Sequence, residues 1–410
     1  MGKVVDFFDH PYYKFCKTMT SLVGQWPDQS RKELIFYRSV LFVAISLQLT
    51  PQFIAAYTYR NNLNILLDTF TPFIVIIIML VKYLNNCFHS RTSTHLLNLI
   101  KENWAIFPRN NGQQLLHYHS NLCRKVSIIY LGAVYFGTFS FAAEPVQRRF
   151  MAGLLYGNTT VENTFALPME FGSSFDIDYW YYPIFTLSTV LMFVIMTVVG
   201  SCDLLLIMYS EHSVGLFKAL GYAIENLPPH SDSEESDFDF DYLKRCAEIH
   251  HRAICFAEHV RDIYLWTFFG IIGLNMIMMS ITGVQVVLNK DALEKVIKYI
   301  VFVVMQSVHL FVECFAAQRL MDASYGLKDT LSNSPWYAAT LKTQKLIPVM
   351  LMRSQSPIVL TAGKMIVMNM DTYATVNLST DLYTRRKMKK LSSNPYIVWI
   401  KKISSYDRVK

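Results

Sequence analysis

The chain is 410 residues long, 52% hydrophobic and only 17% charged, against about 25% charged residues in an average soluble domain. That deficit, together with 14% aromatic residues, argues against a string of soluble domains and for a chain solvated largely by lipid. The net charge of +7 does not point to nucleic acid, because the basic residues form no aromatic-interleaved patch and sit between apolar runs instead.

Residues 1–36 are mixed polar and charged with no apolar core of a signal peptide. They read as a cytosolic N-terminal segment, with the first span acting as its own insertion signal. A helix needs about 20 mostly apolar residues to cross the hydrocarbon. Spans are expected at Tyr37–Tyr59, Leu66–Leu84, Val126–Ala143, Tyr181–Tyr209, Ile263–Leu288 and Val296–Ala317. A weaker seventh region covers Leu346–Ser379, broken at Ser356-Pro357. Residues 37–379 thus form the expected transmembrane domain, and 380–410 a basic tail. Pro51 and Pro72 fall inside spans, where neighbouring groups can re-satisfy the freed carbonyls.

Loop charges set the orientation. Lys14, Lys17, Arg31 and Lys32 precede the first span, and Arg91, Lys101, Arg124 and Lys125 follow the second. Lys218, Lys244, Arg245 and Arg252 follow the fourth, and Arg319, Lys328, Lys342 and Lys345 the sixth. The opposite side holds only Arg60, Arg148, Arg149, Lys290 and Lys295. Positive-inside reasoning places the N-terminus in the cytosol. Asn158-Thr159-Thr160, a glycosylation acceptor at Asn158, then falls in an outer loop. Asn377-Leu378-Ser379 also fits that pattern but lies close to the membrane. The tail, with Arg385, Arg386, Lys387, Lys389 and Lys390, runs against the rule; either the last half-span does not cross or the tail is atypical. The acidic, serine-rich stretch from Ser231 to Asp241 reads as a solvated cytosolic turn, with phosphorylation or partner docking as the alternative.

No P-loop, GxSxG or HExxH motif is present. The seven cysteines make no CxxC pair, and none falls in an expected outer loop, so neither a zinc site nor a disulfide is expected. Glu248, His250, His251, Glu258 and His259 read as a polar cytosolic helix surface rather than a metal site. Asp203 and Glu313, toward the inner ends of their spans, suggest helix-end salt bridges, or a proton or ion relay. Lys364 and Asp371 are seven residues apart and would share a helix face facing a watery axis, unless that helix never enters the membrane. Aromatics gather at outer span ends. Tyr179, Trp180 and Tyr181 suit an interfacial belt. The deeper Phe73, Tyr135, Phe139, Tyr182, Phe185 and Tyr299 suit either core packing or a small-molecule pocket.

The segment Met352-Arg353-Ser354-Gln355-Ser356-Pro357-Ile358-Val359-Leu360-Thr361-Ala362-Gly363-Lys364 resembles the C-terminal signature of insect odorant receptors. Met321-Asp322-Ala323-Ser324-Tyr325, Ser334-Pro335-Trp336-Tyr337, Gly24-Gln25-Trp26-Pro27 and the His251-Arg252 to Glu258 stretch are similar to weaker family motifs. The resemblance implies an all-helical membrane protein, a seven-helix bundle with cytosolic N-terminus and long cytosolic helix extensions. It implies a heterotetramer of odour-binding subunits with a shared co-receptor subunit in the plasma membrane of a sensory neuron. A small hydrophobic volatile would bind in the outer half, between spans two, three, four and six, and gate a nonselective cation channel without any cofactor. Those spans carry the six deeper aromatics, which are the expected ligand-binding residues. The last helix would line the pore, with Lys364, Asp371 and Val376 as expected lining residues. Family members end soon after that helix, whereas here a basic tail follows.

Rival readings are a gustatory-type receptor channel, a G-protein-coupled receptor and a transporter. The gustatory ending is not completed after Thr372-Tyr373, no Asp-Arg-Tyr closes the third span, and no internal repeat stands out.

Overall fold

The computed structural model describes residues 6–106, 111–156, 163–171, 176–227, 238–289 and 292–379. Asn158, most of the acidic stretch and residues 380–410 lie outside the described residues. The chain builds α1 (Pro11–Leu22), α2 (Arg31–Thr58), α3 (Leu63–Phe88), α4 (Ser90–Ile106), α5 (Asn111–Ala142), α6 (Glu144–Tyr156), α7 (Ile177–Glu225), α8 (Phe238–Leu288) and α9 (Leu293–Asn333). Then follow α10 (Leu341–Gln344), α11 (Leu346–Ser354), a hairpin of β1 (Thr361–Ala362) and β2 (Ile366–Val367), and α12 at residues 370–379.

Local chemistry sets the helix starts. Ser30 and Glu33 form a reciprocal capping box on α2, at 3.3 and 3.2 Å. The Asn62 side chain accepts from the Asn64 and Ile65 amides to start α3. Both helices run through their prolines. Among the described residues, six helices are long and apolar enough to cross a bilayer: α2, α3, α5, α7, α8 and α9. They correspond one to one with the six strong spans of the sequence.

Three of these helices are far longer than a crossing requires. α7, α8 and α9 have 49, 51 and 41 residues, and a crossing takes about 20. α8 starts at Phe238 and α9 ends at Asn333, each well beyond the expected span. With the long N-terminal half of α5, and with α1 and α4, these ends build a second, intracellular body. Its axis is α7, which is buried on every side from Val198 to Phe217. The N-terminal segment is pinned to α7 by the Ser201 hydroxyl donating to the Met19 carbonyl at 3.1 Å and by the Gln25 amide 3.2 Å from Cys202 Sγ, and within it Trp26 is buried against the Phe8 ring at 5.2 Å. By contrast, the outer halves present apolar side chains outward, among them Phe53, Phe70 and Phe136. Hydrocarbon is the solvent such faces require.

The seventh region corrects the expectation. No continuous helix spans Leu346–Ser379. α11 packs on the intracellular half of α8, where Arg353 pairs with Glu258 at 2.9 Å and the Ser354 hydroxyl lies 3.5 Å from His250. Burial, with the positive charge of Arg353 nearby, holds the His250 pKa down to about 4. The chain then reverses in the hairpin, with Thr361 opposite Val367 and Ala362 opposite Ile366. Its turn is Gly363-Lys364, both with positive φ (59° and 61°). The Gly363 amide donates to the Leu265 carbonyl at 2.9 Å, and a Cβ at Gly363 would sit 2.9 Å from the Phe269 ring. α12 begins only after Asn369, whose side chain accepts from the Thr372 amide at 2.8 Å. Lys364 and Asp371 therefore do not share a helix: Lys364 sits in a turn and Asp371 in the first turn of α12.

Candidate ligand cavity and buried ion cluster

The outer half of the bundle holds a partly open apolar cavity of about 100 Å³. α3 contributes Thr71, Pro72, Val75 and Ile76; α5 contributes Val134, Gly137, Thr138 and Phe141; α7 contributes Met192, Ile195 and Met196; α9 contributes Phe302 and Met305. These are the second, third, fourth and sixth spans. α2, the first span, adds Gln48 and Gln52. Cavities of about 150 Å³ hold a benzene-sized molecule, so this smaller, partly open space suits a short chain, or a small ring once its flexible methionine walls give way. Gly137 makes room for Met305, since a Cβ there would lie 2.4 Å from Met305 Cγ. Phe141 and Phe302 meet at 5.6 Å across one wall.

Residues 163–171 close the outer end. Leu167 joins the cavity lining. The segment is strapped down by the Glu170 amide donating to the Pro51 carbonyl (3.1 Å), Tyr59 Oη donating to Glu170 (3.0 Å), Lys298 Nζ donating to the Ala166 carbonyl (2.6 Å) and Tyr181 Oη donating to the Thr164 carbonyl (3.0 Å).

The six expected binding aromatics surround this cavity without lining it. Phe73 packs on Phe53 at 4.7 Å. Tyr135 turns to Thr197, hydroxyl to hydroxyl at 2.9 Å, and to the Phe193 ring. Phe139 and Tyr182 face outward, 63% and 69% exposed. Phe185 stacks on Tyr181 at 5.9 Å. Tyr299 is buried and donates to Asp68. Asp68 also accepts from Gln285 at 2.7 Å, and Gln285 Oε1 accepts from the cavity residue Thr71 at 3.3 Å. Tyr299 thus reaches the wall only through that chain. Sequence reasoning missed Gln48 and Gln52. Their signal was present, as two amides one helical turn apart inside an apolar span.

Below the cavity lies a buried ion cluster. Lys82 of α3 reaches Asp203 of α7, Glu313 of α9 at 2.7 Å and the His309 ring at 2.9 Å. Tyr130 of α5 donates to Asp203 at 2.5 Å and lies 2.9 Å from His309 Nδ1. Asp203 and Glu313 are therefore partners of one ammonium shared among helices, beyond a simple helix-end pair. Asp203, His309 and Glu313 present a possible metal-ligand set, but Lys82 already supplies the cation between the two carboxylates. Eight residues further along α7, about 12 Å, Glu211 takes both ends of Arg319 at 2.5 and 2.9 Å and lies 3.1 Å from His119. α12 docks on α9: Ser307 Oγ is 2.9 Å from Tyr373 Oη and 3.1 Å from Asn377 Oδ1, while Phe311 meets the Tyr373 ring edge-on at 5.5 Å. Val376 is buried.

The family model described as 7tm Odorant receptor matches residues 62–380. Odorant receptor 67c of Drosophila melanogaster is 24% identical over 155 residues, covering 38% of this chain and 37% of that protein. Odorant receptor 82a of the same fly is 24% identical over 206 residues, so the match spans about half of that relative (52%) and 50% of this chain. Odorant receptor 9a, also from Drosophila melanogaster, is 20% identical over 341 residues, 82% of this chain and 84% of that protein. The solved olfactory receptor OR5 from Machilis hrabei, in complex with eugenol, superposes with a TM-score of 0.71 at 17% identity, over 92% of this chain and 97% of that one. At that identity the likeness is one of fold.

Proposed function

Because this chain belongs to the insect odorant receptor family, a family of multi-pass plasma-membrane receptors, we propose that its outer cavity binds a small volatile molecule and gates a nonselective cation channel built with a co-receptor subunit in a heterotetramer. The observation that carries this reading is the apolar cavity between α2, α3, α5, α7 and α9. Small-molecule sites are mostly apolar with a few placed polar groups.

α9 supplies the route to the channel. Its Met305 lines the cavity, and Ser307, two residues on, holds α12. Two residues turn about 200° around a helix, so the two groups lie on opposite sides of α9. A ligand that favours one Met305 and Phe302 packing shifts α9 against α12, by no more than its difference in affinity between the two states. Residues 37–379 form the receptor and channel unit, flanked by segments 1–36 and 380–410. Lys364 and Asp371 are the proposed pore-side residues of the hairpin and α12, and Val376, buried in this packing, would reach the pore only with a shift of α12. Phe73, Tyr135, Phe185 and Tyr299 flank the cavity, while Phe139 and Tyr182 face outward. The test is co-expression with a co-receptor and an odorant panel. Ile76→Phe and Val134→Phe, which fill the cavity, should abolish odour-evoked current while the protein still reaches the cell surface. Undiminished current from both variants overturns the reading.

A further inference from the structure

This inference rests on reading the outer cavity as the odorant site and concerns the chemistry that site selects. Gln48 and Gln52 lie four residues apart on one face of α2. They are 2% and 0% exposed and line the cavity. Among the described residues, neither the amide oxygen nor the amide nitrogen of either side chain has a hydrogen-bond partner. The other polar wall groups are engaged. The Thr138 hydroxyl donates to the Val134 carbonyl at 2.8 Å, and the Thr71 hydroxyl to the Leu67 carbonyl at 3.1 Å and to Gln285 at 3.3 Å. Buried amides without partners are costly, and a ligand that supplies the missing bonds recovers that cost.

We propose that the cavity selects small alcohols or phenols: one hydroxyl on a compact apolar body, the hydroxyl held by Gln48 and Gln52. A hydroxyl donates once and accepts twice, so it can give its hydrogen to one amide oxygen and accept from an amide N–H. A ketone or ester only accepts and leaves the amide oxygens unanswered. A hydrocarbon answers none of the four groups. Among the described residues no charged side chain lines the cavity, so a carboxylate or ammonium ligand would be desolvated without a counter-ion there. Val75, Ile76, Ile195 and Phe302 receive the apolar body.

The experiment uses the full chain with its co-receptor and matched six-carbon probes: cyclohexanol, cyclohexanone and cyclohexane, with 1-hexanol, 2-hexanone and hexane. The expected order of potency is alcohol, then ketone, then hydrocarbon, with roughly 10- to 100-fold between first and last. In the Gln48→Leu/Gln52→Leu double variant that range should shrink to about threefold, mainly because the hydrocarbons gain. Should the double variant stay off the surface, Gln48→Met and Gln52→Met singly should each remove part of the alcohol preference. Equal potency of alcohol and hydrocarbon on the native chain, as a permanently bound water on the amides would produce, overturns the inference. So does an alcohol preference that survives both substitutions. A native channel that answers other odorants but none of these probes also overturns it, while leaving the cavity reading intact. Silence to every odorant overturns that reading itself.

Discussion

At the cavity, α2 buries two glutamines whose amides meet no partner among the described residues. At the level of Asp203, the same bundle buries an ammonium and two carboxylates, and both carboxylates meet the ammonium. The outer level is a place where the protein leaves something for a ligand to complete. At the lower level the charges are paired: α3, α7 and α9 are joined through Lys82 and α5 through Tyr130, although Glu313 Oε2 meets no hydrogen-bond partner among the described residues. The difference shows which part of the bundle can change state and which part holds it together. Removing one member of a buried ion group strands the others and costs about 3–5 kcal/mol. Replacing an unpaired buried amide with a hydrocarbon removes a cost.

The largest expected effect follows directly. Lys82→Met leaves Asp203 and Glu313 buried without their cation and should lower thermal stability in detergent by about 3–5 kcal/mol, with loss of surface expression. The Lys82→Met/Asp203→Asn/Glu313→Gln triple variant should recover much of it. Gln48→Leu and Gln52→Leu should be neutral or stabilising by up to about 1 kcal/mol. If Lys82→Met and Gln52→Leu cost the same, the contrast between the two levels is wrong.

A second effect belongs to the intracellular body. His212 is 4% exposed, lies beside the Phe256 ring and 3.3 Å from the Asn103 amide nitrogen, and burial holds its pKa down to about 3. In the unfolded chain it titrates near 6.5. Between about 3 and 6.5 the unfolded chain binds the extra proton, so stability is full above about 6.5 and declines as pH falls through that window. From pH 6.5 to 5 the loss should reach at most about 2 kcal/mol. His212→Phe should flatten this part of the stability profile; an unchanged profile would place the acid sensitivity elsewhere.

Two glycines sharpen the comparison at smaller scale. Gly200→Ala would bring a Cβ within 2.6 Å of Leu131 Cδ1, at a point where both chains are buried. With no space to yield into, it should cost about 1–3 kcal/mol. Gly137→Ala would press on Met305 at 2.4 Å, but Met305 borders the cavity and can swing into it. Its stability cost should stay below about 1 kcal/mol, while odorant potency falls, on the order of tenfold, because the cavity shrinks. Equal thermal shifts from the two substitutions would argue that the outer half is as tightly packed as the inner.

How far these features were legible in the sequence follows the same division. Hydropathy located six crossings, because lipid demands long apolar runs whatever the packing. It did not locate the intracellular helix extensions. Residues 240–262 of α8 are buried on one side by other helices, and their mixed composition resembles that of any cytosolic segment. The cavity lies between the expected spans, yet the expected residues stand beside it. Depth in a membrane can be read from position along a span, but azimuth cannot. Phe139 and Thr138 differ by one residue and about 100° of rotation; one faces outward and the other inward. Gln48 and Gln52 could have been found, since lipid-facing amides are costly and their spacing puts both on one face. The seven-residue spacing of Lys364 and Asp371 misled because it presumed a helix starting at Lys364, whose positive φ puts it in the turn, and running on through Ile366–Val367, which form β2.

That turn carries the smallest effect. It sits where the hairpin is pinned to Leu265 of α8 and feeds α12. Gly363 accepts its conformation freely, but Lys364 holds φ 61° with a side chain that disfavours it, at a cost of about 1 kcal/mol. Lys364→Gly should therefore raise thermal stability, and Lys364→Asn should raise it by less, since Asn tolerates this conformation better than Lys does. Both substitutions remove the charge. If Lys364 also faces the permeation path, the two variants should change ion selectivity alike while differing in stability, which separates the backbone contribution from the electrostatic one. A stability gain that is the same for both would mean that the charge, and not the left-handed backbone, sets the cost of this turn.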